Sequence, residues 1–239
     1  MIPKTIHYCW FGSSELPELA QRCIASWHEH MPDWEYRLWN EDNFDINSVP
    51  YVKEAYEAKK FAFVSDYVRL WALYNEGGLY LDVDFEVFKP FDDLMQRDAF
   101  AGFEGSKHLP VMMGVIASRA KGEWVKEQLD YYQDRHFIRP DGNLDTTTNV
   151  QFVSEGMRQQ GFVQNGKEQD YKDLHVFPVE YFCPRQTTGE YFRTDNTYCD
   201  HLGMGSWSTQ GSGWKMWVGR WVGPKNMTRI IKLKRKLFG

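Results

Sequence analysis

The chain has 239 residues, a length that suits one large α/β domain and is short for two domains of average size. Its apolar (42%) and charged (26%) fractions are ordinary for a globular protein, which excludes a disordered or fibrous chain. The net charge is −5, but it is unevenly distributed, because eight basic residues and no acidic residue follow Asp200. The acidic residues 1–200 argue against a nucleic-acid partner, while the basic C-terminal end suits other anions.

The first forty residues predict alternating strand and helix. Residues 5–10 and 35–39 have strand character, and the apolar spacing of residues 15–30 predicts a helix between them. Strand, helix and strand in this order indicate a parallel βαβ unit.

The most regular segment is residues 60–76, whose apolar positions predict a helix that two glycines then end. Residues 79–81 are a short apolar run, which we interpret as a buried strand leading directly into the acidic motif at residues 82–84. A second strand is expected at residues 85–88. The motif therefore lies at a strand end, where open α/β sheets place ligands.

The rest of the chain predicts further elements of both kinds. These are strands at residues 111–118 and 175–179, helices at 123–134 and 149–160, Gly- and Trp-rich loops at 203–223, and a basic helix at 226–238. We expect one domain over residues 1–224, followed by a basic amphipathic helix over residues 225–239.

Asp82 and Asp84 are the residues that point most directly to chemistry. They stand two apart at a strand exit, so both carboxylates can face the same way, and two close carboxylates favour a cation between them. Mg²⁺ and Mn²⁺ bind such oxygens and complete their shells with phosphates. A D-x-D pair alone is more often a solvated turn, and Asp66 and Arg69, spaced i, i+3, could form a weak exposed ion pair.

The surroundings of the motif resemble a known family. Residues 65–70 read S-D-Y-V-R-L, and residues 75–84 read N-E-G-G-L-Y-L-D-V-D. These segments resemble glycosyltransferase family 32, the DXD-motif sugar transferases, and more distantly the catalytic domain of the large clostridial glucosylating toxins. The resemblance implies a single GT-A-type, Rossmann-like, nucleotide-sugar-binding α/β domain with a mixed, mostly parallel central sheet.

The resemblance also implies a role for each matching residue. Asp66 and Arg69 would hold hydroxyls of the donor sugar and the diphosphate region, and Tyr80 would lie near the donor. Asp82 would contact the ribose and the water shell of the metal, while Asp84 would ligate the metal directly. Asp66, Arg69 and Asp84 are then the expected catalytic residues.

Two further segments resemble family elements. Residues 2–12, I-P-K-T-I-H-Y-C-W-F-G, match the opening that lies beside the nucleotide base, which makes Trp10 the candidate for stacking on uracil. Residues 201–207 match a late H-x-x-x-x-S-W element. The resemblance thus implies donor contacts from Trp10, Phe11, Asp66, Arg69, Tyr80, Asp82, Val83, Asp84, Ser206 and Trp207. The implied metal ligands are Asp82, Asp84 and His201, and a neutral imidazole suits Mn²⁺.

The middle of the chain resembles the family only weakly. Family members often carry Asn in the strand that corresponds to residues 112–114, where this chain has Met and Gly, so that contact is not carried over.

The implied activity is retaining transfer of a sugar from a UDP-sugar donor, such as galactose, glucose or an N-acetyl form, with Mn²⁺ or Mg²⁺. The acceptor would be a glycan or lipid-linked glycan in bacterial capsule or other surface polysaccharide synthesis. No second carboxylate that could act as a nucleophile is identifiable, so we expect front-face attack with a β-phosphate oxygen as base.

Two other classes of function compete with this one. A non-catalytic, metal-dependent sugar-binding module would leave Arg69 and the opening at Trp10 unexplained. Metal-dependent phosphoryl transfer also uses paired acids, but no P-loop glycine pattern accompanies them here.

The C-terminal segment predicts a membrane contact. Residues 225–238 combine six basic side chains with apolar ones, a pattern typical of helices that lie on anionic membrane surfaces, although a solvated or disordered end is the alternative. The four cysteines are too sparse for a disulfide framework, and no signal sequence opens the chain. We therefore expect a cytoplasmic protein, peripheral on the inner face of the cytoplasmic membrane.

Overall fold

The computed structural model describes residues 1–105, 109–185 and 191–203. Ser206, Trp207 and the expected C-terminal helix at residues 225–239 lie outside the described residues, as does most of the Gly- and Trp-rich segment. Within the described part, the chain forms one seven-stranded sheet, a smaller two-stranded sheet and packed helices around a shared apolar core.

The large sheet confirms the expected mixed, mostly parallel α/β fold. In spatial order its strands are β2 (Glu35–Trp39), β1 (Thr5–Cys9), β3 (Gly78–Leu81), β6 (Val115–Ser118), β5 (Ala99–Gly102), β8 (Leu174–Phe177) and β7 (Gln169–Tyr171). Strands β1, β2, β3, β5 and β8 run in one direction, and β6 and β7 run in the other. The small sheet pairs β4 (Phe85–Val87) with β9 (Cys199–His201) in antiparallel fashion.

Helix α1 (Glu18–His30) joins β1 to β2 and confirms the parallel βαβ unit. Its buried stripe includes Trp27, whose indole N–H donates to the carbonyl oxygen of Phe85 at 2.7 Å. This bond ties the first helix to β4, so the βαβ unit supports the segment that follows the acidic motif.

Helix α3 (Phe61–Glu76) leads into β3 through two glycines with positive φ angles, +70° at Gly77 and +118° at Gly78. A Cβ atom at Gly78 would lie only 2.6 Å from the carbonyl oxygen of Thr5. The glycines are required because β3 starts at once beside β1, with no room for a side chain at the corner.

The remaining helices are α2 (Pro50–Glu57), α4 (Glu123–Asp130), α5 (Asn149–Gln159) and α6 (Val179–Phe182). The sequence patterns did not predict α2, α6, β5, β7 or β9. Several expected elements are shorter than predicted, most clearly α4, which gives way to turns after Asp130, β8, which stops before Pro178 and α6, and β6, which begins only at Val115.

The late start of β6 has a physical reason. Val111 pairs with Phe103 only through an isolated bridge, and the N–H group of Met112 donates to Gly102 at 2.8 Å. The chain from Met112 to Val115 is irregular, which leaves the carbonyl of Met113 available to a side chain.

The helices in the described part of the chain are all too short or too polar to cross a membrane.

Candidate active site

The acidic motif lies at the edge of the large sheet where β3 ends. Residues 82–84 form the tight turn between β3 and β4, closed by a hydrogen bond from the N–H of Phe85 to the carbonyl of Asp82 at 3.1 Å. Among the described residues the two carboxylates contact different partners, contrary to the simplest expectation for two acids at a strand exit. Because the chain turns, Asp82 points toward Arg69 and Asp84 points toward His201.

Asp82 is held by two side chains. Its two oxygens lie 3.4 Å and 3.3 Å from Nη1 and Nη2 of Arg69, and the hydroxyl of Tyr80 donates to Oδ1 at 2.8 Å. The side chain keeps 29% of its surface exposed. Asp82 is therefore oriented by buried groups while still open to a ligand.

Gly114, at the start of β6, makes room for this arrangement. Its carbonyl accepts the N–H of Asp82 at 2.9 Å, and a Cβ atom at Gly114 would lie 2.8 Å from Oδ2 of Asp82 and 2.6 Å from the ring of Phe85. The segment 112–114, where the family often carries Asn, thus ends in a residue that has no room for a side chain.

Arg69 is the centre of the buried polar network, with 3% of its side chain exposed. Nη1 donates to the carbonyl of Met113 at 2.7 Å, and Nη2 forms an ion pair with Oδ1 of Asp66 at 3.2 Å. Burial by itself lowers the pKa of Arg69, but Asp82 and its other anionic neighbours outweigh this and raise the pKa. A permanent positive charge therefore lies directly behind the acidic turn.

Asp66 is fully buried behind Arg69. Its Oδ2 accepts the N–H of Asn149, the first residue of α5, at 3.2 Å. Burial raises the pKa of Asp66 to about 7, although the charge of Arg69 and the bond from Asn149 act in the opposite direction. In this structure Asp66 acts on the site through Arg69, and its expected contact with a donor hydroxyl stays a prediction.

Pairing of β4 with β9 brings His201 to the acidic motif from far along the chain. His201 stands opposite Phe85, and the two rings stack at 4.5 Å with an angle of 5°. Nε2 of His201 lies 3.4 Å from Oδ2 of Asp84, which is itself almost fully buried. Burial lowers the pKa of His201, but hydrogen bonds with Asp84 and Cys183 outweigh it and raise the pKa well above its usual value.

The spacing of Asp84 and His201 fits a divalent cation. Adjacent ligands of a six-coordinate Mg²⁺ or Mn²⁺ ion, with bonds of about 2.1 Å, lie about 3 Å apart. The observed 3.4 Å agrees with this separation. Among the described residues, no three His, Cys, Asp or Glu side chains cluster closely enough to hold a metal, so the expected third ligand, Asp82, does not join the other two in a ready cluster. The pair leaves most of the coordination shell for phosphate oxygens and water.

Trp10 and Phe11 follow β1 at the same edge of the sheet. Trp10 is half-buried, and its indole N–H donates to the carbonyl of Ser14 at 2.6 Å, which fixes the ring. Phe11 is buried and packs edge-on against Phe44, and Val83 in the acidic turn is also buried. Of these expected donor contacts, only Trp10 offers a substantial side-chain surface.

His7 is a structural residue whose role the sequence analysis missed. The indole N–H of Trp39 donates to its Nδ1 at 3.1 Å, so Nε2 carries the proton that it shares with the carbonyl of Gly77 at 2.7 Å. Burial lowers the pKa of His7 to about 4. A neutral imidazole thus ties β1 and β2 to the corner that leads from α3 into the acidic motif.

Comparison with known proteins supports a sugar-binding role for the residues at this edge of the large sheet. Residues 17–101 match the family described as "Glycosyltransferase sugar-binding region containing DXD motif". This range holds Asp66, Arg69 and the acidic turn, and it ends within β5.

Similar proteins with curated names match the same part of the chain. Inositol phosphoceramide mannosyltransferase 3 of Schizosaccharomyces pombe is 33% identical over 106 residues, which cover 41% of this chain and 29% of that protein. Glucan organizing enzyme 1 of Cryptococcus neoformans var. grubii is 35% identical over 129 residues, which cover 44% of this chain and 35% of that protein. The match thus spans about a third of the length of these relatives.

A solved structure described as "PaToxG Glycosyltransferase" is also similar. It has a TM-score of 0.47 and 17% sequence identity, over 67% of this chain and 70% of that one.

Proposed function

We propose that the protein transfers a sugar from a nucleotide-sugar donor to a hydroxyl of a glycan or lipid-linked acceptor, because residues 17–101 match the DXD-containing sugar-binding region of glycosyltransferases. The observation that carries the proposal is the pairing of Asp84 with His201 at 3.4 Å, directly beside an Asp82 that Arg69 and Tyr80 hold in place. This arrangement suits a metal-bound diphosphate.

Each residue of the site has a part in the proposed binding mode. Asp84 and His201 would hold Mn²⁺ or Mg²⁺, which when bound neutralises the charge of the departing diphosphate. Arg69 adds a fixed positive charge behind the turn and orients Asp82, whose exposed oxygens are free to accept a ribose hydroxyl. Trp10, held at the end of β1, offers its ring to the base.

We propose that the transfer retains the configuration of the donor sugar. The bond from C1 of the sugar to the diphosphate oxygen breaks, and the acceptor oxygen bonds to C1 on the same face. The proton of the acceptor hydroxyl passes to the departing phosphate oxygen, so no carboxylate nucleophile is needed.

The donor is proposed to be a UDP-sugar, and the names of the mannosyltransferase relatives add a mannose donor to the candidates. Surface polysaccharide synthesis at the inner face of the cytoplasmic membrane remains the proposed setting. The basic segment at residues 225–238 is its proposed membrane contact.

A donor panel tests the function. The purified protein is incubated with UDP-glucose, UDP-galactose, their N-acetyl forms and GDP-mannose, with Mn²⁺ or with a chelator, and released nucleotide and free sugar are measured. We expect metal-dependent release from one donor, lost in Asp84→Asn and kept in Asp33→Asn, a matched change at an exposed acid. Metal-dependent binding of a donor without turnover would support the sugar-binding module instead, and release of inorganic phosphate would support phosphoryl transfer.

A further inference from the structure

Glu104 is an acidic side chain at the same edge of the sheet that the proposed mechanism does not use. It follows β5, where Phe103 bridges to Val111 and the N–H of Glu104 donates to the carbonyl of Pro110 at 3.0 Å. The backbone just before this acid and the N–H of the acid itself are therefore held by cross-strand bonds.

The strand order places Glu104 beside the acidic turn. Strands β3 and β5 run in the same direction with β6 between them, so both end at one edge, where β6 begins. Neighbouring strands lie about 4.8 Å apart, which puts the ends of β3 and β5 roughly 10 Å from each other. The residue that separates them at the start of β6 is Gly114, which has no side chain to fill the gap.

The Glu104 carboxylate is close enough to this gap to sense the charges there, while burial raises its pKa. It interacts with the charges of His201, Asp82 and Arg69, the groups assigned to the metal and the diphosphate. The side chain is only half-exposed, yet it makes no hydrogen bond or ion pair with any residue in the described ranges. A partly buried carboxylate without a protein partner is costly unless a ligand satisfies it.

We propose that Glu104 accepts a hydrogen bond from a hydroxyl of the sugar being transferred. The inference rests on the proposed function and extends it by giving the order in which the parts of the donor lie along this edge of the large sheet. The base lies at the end of β1, the diphosphate at the end of β3, and the sugar reaches over Gly114 to the end of β5. Glu104 is then a specificity residue, because it senses a sugar hydroxyl and not the nucleotide.

The test compares bare nucleotides with nucleotide sugars. Binding of UDP and UDP-glucose, and of GDP and GDP-mannose, is measured by calorimetry with Mn²⁺ for the wild type, Glu104→Gln and the exposed control Glu57→Gln. We expect Glu104→Gln to bind the bare nucleotide within twofold of the wild type and to bind the nucleotide sugar about tenfold more weakly, as for a lost hydrogen bond to a charged group. Glu57→Gln should match the wild type for both.

Three outcomes would overturn the inference. In the first, Glu104→Gln leaves both affinities unchanged. In the second, it weakens nucleotide and nucleotide sugar equally, which would indicate a structural or long-range electrostatic role. In the third, the wild type binds neither nucleotide, and the proposed function itself fails. Glu104→Asp, which keeps the charge on a shorter side chain, should lose part of the sugar contribution and keep nucleotide binding if the first variant does not fold.

Discussion

The Nε2 atom of His7 lies 2.7 Å from the carbonyl oxygen of Gly77, at the corner where helix α3 becomes strand β3. The bond joins the first strand to the residue that immediately precedes β3, the strand that leads into the acidic motif. It places a neutral, buried imidazole under the site, and the stability of this corner should therefore depend on pH.

We expect acid to destabilise the protein through His7. Its pKa is lowered from 6.5 to about 4 in the folded state, chiefly by burial, so between these values the unfolded chain binds the extra proton. The contribution of neutral His7 to the free energy of unfolding is complete above pH 6.5. It is lost as the pH falls toward 4, a change of about 3 kcal/mol. Urea unfolding from pH 7 to 4.5 measures it. In His7→Gln the slope over this range should be smaller, and an unchanged slope would contradict the assignment.

The glycine corner gives a second prediction. Gly78→Ala should lower the free energy of unfolding by at least about 2 kcal/mol, because φ is +118° and the new Cβ would lie 2.6 Å from a backbone oxygen of β1. Gly156→Ala is the matched control: this helical glycine has open space around its Cβ position and should gain about 0.5–1 kcal/mol. Equal effects of the two changes in denaturant unfolding would refute the steric argument.

The metal pair gives a third prediction. His201→Ala and Asp84→Asn should each weaken Mn²⁺-dependent nucleotide binding by about 100-fold, or about 3 kcal/mol, because each removes one of the two proposed protein ligands, whose atoms lie 3.4 Å apart. Free Mn²⁺ measured by electron paramagnetic resonance in the presence of UDP reports the loss. Retained affinity in either variant would show that the cation binds elsewhere, and Asp33→Asn should behave as the wild type.

The fourth prediction concerns Arg69 and separates the effect of its positive charge from the effect of its guanidinium geometry. Arg69→Lys keeps the positive charge but cannot contact Asp66, Asp82 and Met113 together, as the guanidinium does. Breaking this buried network should cost roughly 3 kcal/mol of stability and weaken donor binding. Thermal unfolding and nucleotide binding measure the two effects. Wild-type values in both would mean that charge alone matters at this position.

Much of the fold could be predicted from local patterns. Residues 35–39 and the helix before Gly77 and Gly78 were placed to within a residue, because apolar periodicity and glycine punctuation are properties of a short window. Strand β9 and the helix at Pro50–Glu57 were missed. A three-residue strand has no period of its own, and it exists here only because β4 offers it a partner.

The candidate site could likewise be predicted from the sequence only in part. The acidic turn, Arg69 and His201 could be named from sequence because family resemblance links residue types at fixed positions. The contacts that these residues make could not be predicted from sequence, because burial decides them. Asp66 is fully buried behind Arg69, and Phe11 packs into the core. The sequence marks Glu104 only as an acid near a glycine, and its proposed role follows from the strand order that sets β6 between β5 and β3.

The sequence by itself determined the α/β class, the place of the acidic motif at a strand end and the likeness to DXD glycosyltransferases, because these depend on residue type and local spacing. Only the tertiary structure decided that Asp82 and Asp84 contact different partners among the described residues, that His201 meets Asp84, and that Gly114 leaves the space beside Asp82 without a side chain. The physical reason is that these contacts join distant segments through strand pairing and burial, which no local period records.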